Sequence, residues 1–180
     1  AGRNALTQLA GPEVDKEIAK LLESSKEPAT VLVLIDVLVG RGAREGLPAL
    51  VMAAGHQNVQ VRLAAWEGIG VLAQEQHFPF LVHCMLVVQG RPEAKAAEEA
   101  VLKVASRVRT SDARVKPVLE ALRQVESAKV PALLRLLGRN PGPEALGAIR
   151  KLAGDTDPAA RGAAVRALAE WPTDEVADDL

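Results

Sequence analysis

The sequence predicts an all-α fold, a solenoid of five helical hairpins, on three observations. One phrase recurs: residues 161–172 read RGAAVRALAEWP and residues 62–70 read RLAAWEGIG, with Arg, small residues, a larger apolar residue, a charge and a branched aliphatic in the same order. Aromatic residues make up 2% of the 180, with no Tyr, so the core is built from Ala, Leu, Val and Ile. Such a core suits closely packed helices better than a sandwich of strands, which draws on aromatic and β-branched pairs. Apolar residues also recur at intervals of three and four, as Val14, Ile18, Leu21 and Leu22 do, which is the stripe of a helix that buries one face.

With the Arg of the recurring phrase as position zero, the same frame fits five times. The zeros fall at Thr30, Arg62, Lys95, Val130 and Arg161, so successive spacings are 32, 33, 35 and 31 residues. A period of that size marks stacked supersecondary units. The five copies read TVLVLIDVL, RLAAWEGIG, KAAEEAVL, PALLRLLG and RGAAVRALAEWP, and slots three, four and seven after zero are the apolar ones. The Lys95 copy fits least well, because Glu98 and Glu99 take two of those slots. Ahead of each copy lies another helical segment, at residues 13–24, 44–54, 77–89, 112–125 and 143–153.

Proline marks the helix starts. Pro12, Pro28, Pro92, Pro143 and Pro158 stand where a first turn would begin and a missing N–H costs nothing. Pro48, Pro79, Pro117 and Pro131 are expected in first turns as well. VLVLIDVLV has the β-branched content of a strand, but it keeps the repeat register and lacks hairpin turn signals, so it is expected to be a helix. Each hairpin of about 32 residues cannot bury its apolar face alone and stacks on its neighbours.

Bulk composition narrows the function classes. The net charge of -1 gives no overall pull toward nucleic acid or an anionic membrane, although Lys103 to Lys151 holds eleven bases against four acids and the following stretch turns acidic. Cys84 is the single cysteine, which excludes an internal disulfide and a Cys-based zinc site. No apolar run approaches the roughly 20 residues that span a bilayer, so no membrane span is expected. The chain opens inside a helical pattern at Ala5, Leu6, Leu9 and Ala10 and ends at Leu180 as another helix begins. Residues 1–180 are therefore expected to be one solenoid from a longer chain, with partial units at both ends.

The pattern Asp157, Pro158, Arg161, Ala164, Ala167, Leu168, repeated loosely as Asn58, Arg62, Ala65, Ile69, resembles the second helix of HEAT repeats of the short bacterial, phycobilin-lyase-like type. The stretch 131–172 also resembles terminal repeats of large bacterial multidomain proteins. The resemblance covers nearly the whole chain as a repeat class and is most specific over Val130 to Pro172. It implies a right-handed α-α superhelix whose second helices line the concave surface, a role as an interaction scaffold, and an exported or periplasmic bacterial protein. It further implies that Arg62 and Arg161 pair with residues at helix starts, for which Asn58 and Asp157 are available; Asp157 is also placed to cap its own helix.

The slot five residues after zero points away from the apolar slots. It holds Glu67, Arg135 and Arg166, with Arg139 and Glu170 one turn further along. These five residues are either the solvated face of amphipathic helices or a ridge that meets a partner. Trp66 falls in a core slot, and Trp171, before Pro172, is expected to cover the edge of the stack. His56, His77, His83 and Cys84 do not make a metal site: His77 and His83 stand six apart, roughly 240° around a helix. No HExxH, no CxxCH, no nucleophile elbow and no phosphate loop occurs, and the adjacent carboxylates Glu98 and Glu99 diverge on a helix.

The expectation is thus a non-enzymatic protein-interaction scaffold without catalytic residue, metal or cofactor. Its partner would be another protein or another domain of the parent polypeptide. The alternative is an anion or nucleic-acid binder, in the manner of HEAT-like DNA-repair enzymes, using the basic segment 103–151. Missing aromatics for base stacking, the acidic end and the near-zero net charge count against it.

Overall fold

A computed structural model describes residues 11–172 and 175–176 of the chain. Among them lie ten α-helices: α1 (Pro12–Ser24), α2 (Pro28–Arg41), α3 (Leu47–Ala53), α4 (Val59–Leu72), α5 (Phe78–Val87), α6 (Arg91–Ala105), α7 (Ser111–Leu122), α8 (Val130–Gly138), α9 (Pro143–Ala153) and α10 (Pro158–Ala169). Short 3₁₀ turns at Arg44–Gly46, Glu75–His77 and Ser127–Lys129 lead into α3, α5 and α8. The described residues contain no strand, and the fold is all-α and solenoid-like in its succession of hairpins. The partial units expected at the two ends fall outside the described residues.

The described residues fall into two compact units, one of residues 11–74 and 88–104, the other of 75–87, 105–172 and 175–176. In the first, α1 packs on α2 and α3 on α4 as hairpins, while α1 meets α3 and α2 meets α4 across successive hairpins. First helices therefore stack on first helices and second on second, and α6 continues the second layer against α4. The second unit repeats the scheme, with hairpins α7–α8 and α9–α10, α5 meeting α7, α7 meeting α9, and α8 meeting α10.

The core is aliphatic. Leu38, Leu50, Ile69 and Leu81 are wholly enclosed in the same way as Leu133, Leu136, Leu137 and Ile149. Each such side chain contributes roughly 1.5–3 kcal/mol relative to exposure. VLVLIDVLV is helical as expected, because Val31, Leu34, Ile35 and Leu38 put burial on one side while Asp36 points to solvent.

Helix ends follow from local chemistry. The Glu27 carboxylate accepts from the Thr30 hydroxyl (2.6 Å) and from the N–H groups of Ala29 (3.0 Å) and Thr30 (2.5 Å), capping α2. Those bonds, the Thr30 hydroxyl first, hold Glu27 below its usual pKa. Asn58 Oδ1 accepts from Gln60 N (2.8 Å) at the start of α4, and Asp157 Oδ1 from Ala159 N (2.9 Å) at the start of α10. Pro48, Pro79 and Pro131 occupy second positions of α3, α5 and α8, as expected. Pro117 does not: it lies inside α7, buried, where Ser111 and the Thr110 cap start the helix well before it.

Burial also corrects the register. In α2 the buried residues Leu34, Ile35 and Leu38 put zero at Val31 rather than Thr30. In α6 the buried Ala97 and Val101 put it at Ala94 rather than Lys95. Glu98 then stands half-buried at slot four and Glu99 exposed at slot five, so the glutamates no longer collide with the pattern. A second correction concerns Val165 at slot four of α10, which is 46% exposed although Ile35, Trp66 and Leu134 at the same slot are buried. Among the described residues no second helix follows α10 to cover it.

Candidate functional site

The corrected register assigns one residue of each second helix to slot five. Slot five holds Asp36 on α2, Glu67 on α4, Glu99 on α6, Arg135 on α8 and Arg166 on α10, every one charged and every one exposed. The first unit carries the three acids and the second the two arginines. Of the residues expected in the ridge, Glu67, Arg135 and Arg166 occupy this row. Arg139 and Glu170 are exposed too but sit one residue past their helices, as the C-caps of α8 and α10. Asp36 and Glu99 were missed because a frame set one residue off at Thr30 and Lys95 assigns slot five to Ile35 and Ala100. The stripes Val31–Leu34–Ile35–Leu38 and Ala97–Val101–Val104 were the available signal.

In the first unit the row borders a groove of about 520 Å³. Leu32, Leu63, Ala64, Ala96 and Ala100 form its apolar lining, and Gln60, Glu67, Glu99 and Lys103 its polar one. Beside Ala100 and Lys103 of its lining, α4 and α6 approach closely at one point. A Cβ on Gly70 would stand 3.1 Å from Ala100 Cα and 3.3 Å from Lys103 Cδ, so any larger residue there asks α4 and α6 to move apart by a few tenths of an ångström.

A charge clamp fixes the same two helices at their starts. Arg62 donates from Nε to Glu93 Oε1 at 3.1 Å and from Nη2 to the same oxygen, while Nη1 donates to the carbonyls of His56 and Gln57, each at 2.8 Å. Glu93 is buried, and the Arg62 guanidinium holds its carboxyl below the usual range. Gly90, the residue before α6, lies in the left-handed region (φ 88°), and a Cβ there would collide with the Glu93 carboxylate. Arg62 thus pairs with a residue at a helix start, as expected, but that residue is Glu93 of α6, while Asn58 caps its own helix. Arg161 donates to the Asp155 carbonyl at 3.0 Å, and Asp157 is held below its usual pKa by the Ser127 hydroxyl and then by the Ala159 N–H.

Other candidates resolve as packing or surface. Trp66 and Trp171 are both buried, and neither indole N–H finds an acceptor among the described residues, so apolar contact holds the rings. Cys84 is half-buried with its thiol pushed up by desolvation, the reverse of an activated cysteine. Among the described residues no three of His, Cys, Asp or Glu gather as a metal site would require. None of their helices is long and apolar enough to cross a membrane.

The bases of the segment 103–151 are divided between layers. Arg114 and Lys116 are on α7 and Arg150 and Lys151 on α9, which are first helices, whereas Arg135 is on the second helix α8. Arg150 donates to the Glu175 carbonyl at 2.6 Å, and Arg109 faces Glu75 at 3.9 Å.

Comparison with protein families matches residues 115–180 to HEAT repeats. No curated protein matches the chain. HEAT repeats are generally protein-interaction elements and typically non-enzymatic. The matched residues begin within α7 and run through α8, α9 and α10, so this part of the chain is built of HEAT repeats, and the slot pattern of its second helices recurs in α2, α4 and α6.

Proposed function

We propose that the protein is a non-enzymatic interaction scaffold whose second helices engage another protein, or another domain of the parent polypeptide, through the slot-five row. One observation carries this reading. Five second helices each place a charge at the same slot, and all five side chains are exposed. Amphipathicity alone asks only for a polar residue there, and Ser, Thr, Asn or Gln would serve; a charge at every copy is what partner selection uses. Charged residues of this kind set orientation and association rate more than affinity, so the apolar groove beside Glu67 and Glu99 supplies the burial that holds a partner.

The division of the basic segment between first and second helices weighs against a nucleic-acid groove, since phosphates are tracked by one basic face. A pull-down with the wild type and with a variant carrying Glu67→Ala, Arg135→Ala and Arg166→Ala tests the scaffold reading. Partner recovery is expected to fall in the variant. Unchanged recovery, with the helical content of the variant intact, refutes it.

A further inference from the structure

We infer that the groove of the first unit takes a cationic peptide segment, one in which Arg or Lys side chains alternate with small or branched aliphatic ones. The inference rests on the scaffold reading and names the chemistry of the partner at one place on it. Three features of the groove select this occupant.

The first is charge. Asp36, Glu67 and Glu99 stand at the same slot of three successive second helices, so the row is acidic throughout the first unit. Glu67 and Glu99 line the groove itself; Lys103, the cation in its lining, follows Glu99 by one helical turn, and Lys95 stands 3.8 Å from Glu99 in a pair whose two side chains are exposed and therefore screened by water. An anionic ligand, whether a phosphate chain or an acidic peptide, would bring its charge against those carboxylates, whereas guanidinium or ammonium groups complement them.

The second is the apolar lining. Leu32, Leu63, Ala64, Ala96 and Ala100 come from three helices and are partly or fully shielded, with no charged group among them. Alanine at three of those five places keeps the space open for side chains from outside, so leucine- or valine-sized groups fit where larger lining residues would already fill it.

The third is rigidity. The Arg62–Glu93 clamp and the Gly70–Ala100 approach fix α4 against α6 at both ends of the shared surface. A groove held in shape needs little reordering to bind, which lowers the entropic cost of association.

The test uses the full 180-residue chain and two fluorescein-labelled twelve-residue probes, a Leu-Arg-Ala-Arg repeat and its Leu-Glu-Ala-Glu counterpart. Fluorescence anisotropy is followed at about 0.15 M salt, where charges more than about 8 Å apart are largely screened. The cationic probe is expected to bind the wild type. Its affinity should fall at least about tenfold for the variant with Glu67→Lys and Glu99→Lys, and change little for the variant with Arg135→Ala and Arg166→Ala. A third probe, with Leu replaced by Ser, should bind more weakly than the first if the apolar lining contributes.

Failure of the cationic probe to bind, or equal binding to the Glu67→Lys, Glu99→Lys variant, overturns the inference. Equal binding of the Ser probe overturns the part assigned to the apolar lining and reduces the site to charge alone. Binding of the anionic probe alone, abolished by Arg135→Ala and Arg166→Ala, overturns this inference while leaving the scaffold reading intact. A loss of partner recovery in the pull-down together with no binding of either probe separates the two in the same way.

Discussion

Replacing Gly70 by valine tests the packing that shapes the groove. In the structure a Cβ at this position meets Ala100 Cα at 3.1 Å, Ala100 Cβ at 3.3 Å and Lys103 Cδ at 3.3 Å. Ordinary carbon contacts lie near 3.5–4.0 Å, so a methyl already demands a few tenths of an ångström. The Lys103 side chain can swing aside, but Ala100 Cα is backbone and moves only with α6. Gly70→Ala therefore combines a gain of about 0.8–1.0 kcal/mol in helix propensity with crowding of similar size, and should come out within about 1 kcal/mol of the wild type. Gly70→Val adds two methyl groups to the same contact and loses part of the propensity gain, so it should destabilise by about 1–3 kcal/mol. The assay is urea unfolding in a Trp171→Phe background, where Trp66, buried on α4 four residues before Gly70, is the only tryptophan and reports the first unit. A Gly70→Val protein as stable as its parent would mean that α4 and α6 do not approach there, and the groove as described would fail with that contact.

Three further outcomes follow from the same packing. Leu137→Ala, at a wholly enclosed site on α8, should cost about 2–5 kcal/mol, measured by Trp171 fluorescence in a Trp66→Phe background; a loss below about 1 kcal/mol would deny that site its place in the core. Asn58→Ala removes the cap of α4 and should cost about 1 kcal/mol by the same denaturation method, whereas no change would mean the Gln60 and Val61 N–H groups are satisfied equally well by water. Glu93 has a folded pKa below its unfolded value of about 4.3, so its contribution is present above that value and disappears as pH falls through the lower folded one. Thermal unfolding should therefore show Glu93→Gln less stable than wild type at pH 7, with the gap closing toward pH 2; a gap that stays constant or widens in acid would contradict the clamp.

Much of the fold was legible because one stripe decides each helix. The recurring Arg-small-Ala-Ala phrase gave the hairpin period, proline at the first turns gave most of the starts, and repeat register outweighed the strand-like composition of VLVLIDVLV. What was misplaced depended on contacts that no single helix carries. Anchoring the frame on Thr30 and Lys95 used residue type, and only the neighbouring helices reveal that Leu34, Ile35 and Leu38, or Ala97 and Val101, are the ones covered. Pro117 imitates a first-turn proline, but α7 begins six residues earlier at Ser111, behind its Thr110 cap. The Arg62 partner was sought at the start of its own helix, where Asn58 is occupied as a cap; Glu93 is 31 residues away and reaches Arg62 through hairpin stacking. Three of the five slot-five charges were visible for the same reason: Glu67, Arg135 and Arg166 stood in correctly framed copies, while Asp36 and Glu99 stood in shifted ones.

The slot-five row as the face that meets a partner is tested most directly by site-specific photo-crosslinking. A benzophenone side chain placed singly at Glu67, Arg135 or Arg166 on second helices is compared with one at Lys16, Met52 or Lys116, exposed positions on first helices. Irradiation in an extract of the source cells should give a discrete adduct of one common mass increment from the second-helix positions and none from the first-helix ones. Adducts confined to Lys16, Met52 and Lys116 would place the interface on the other layer and contradict the account.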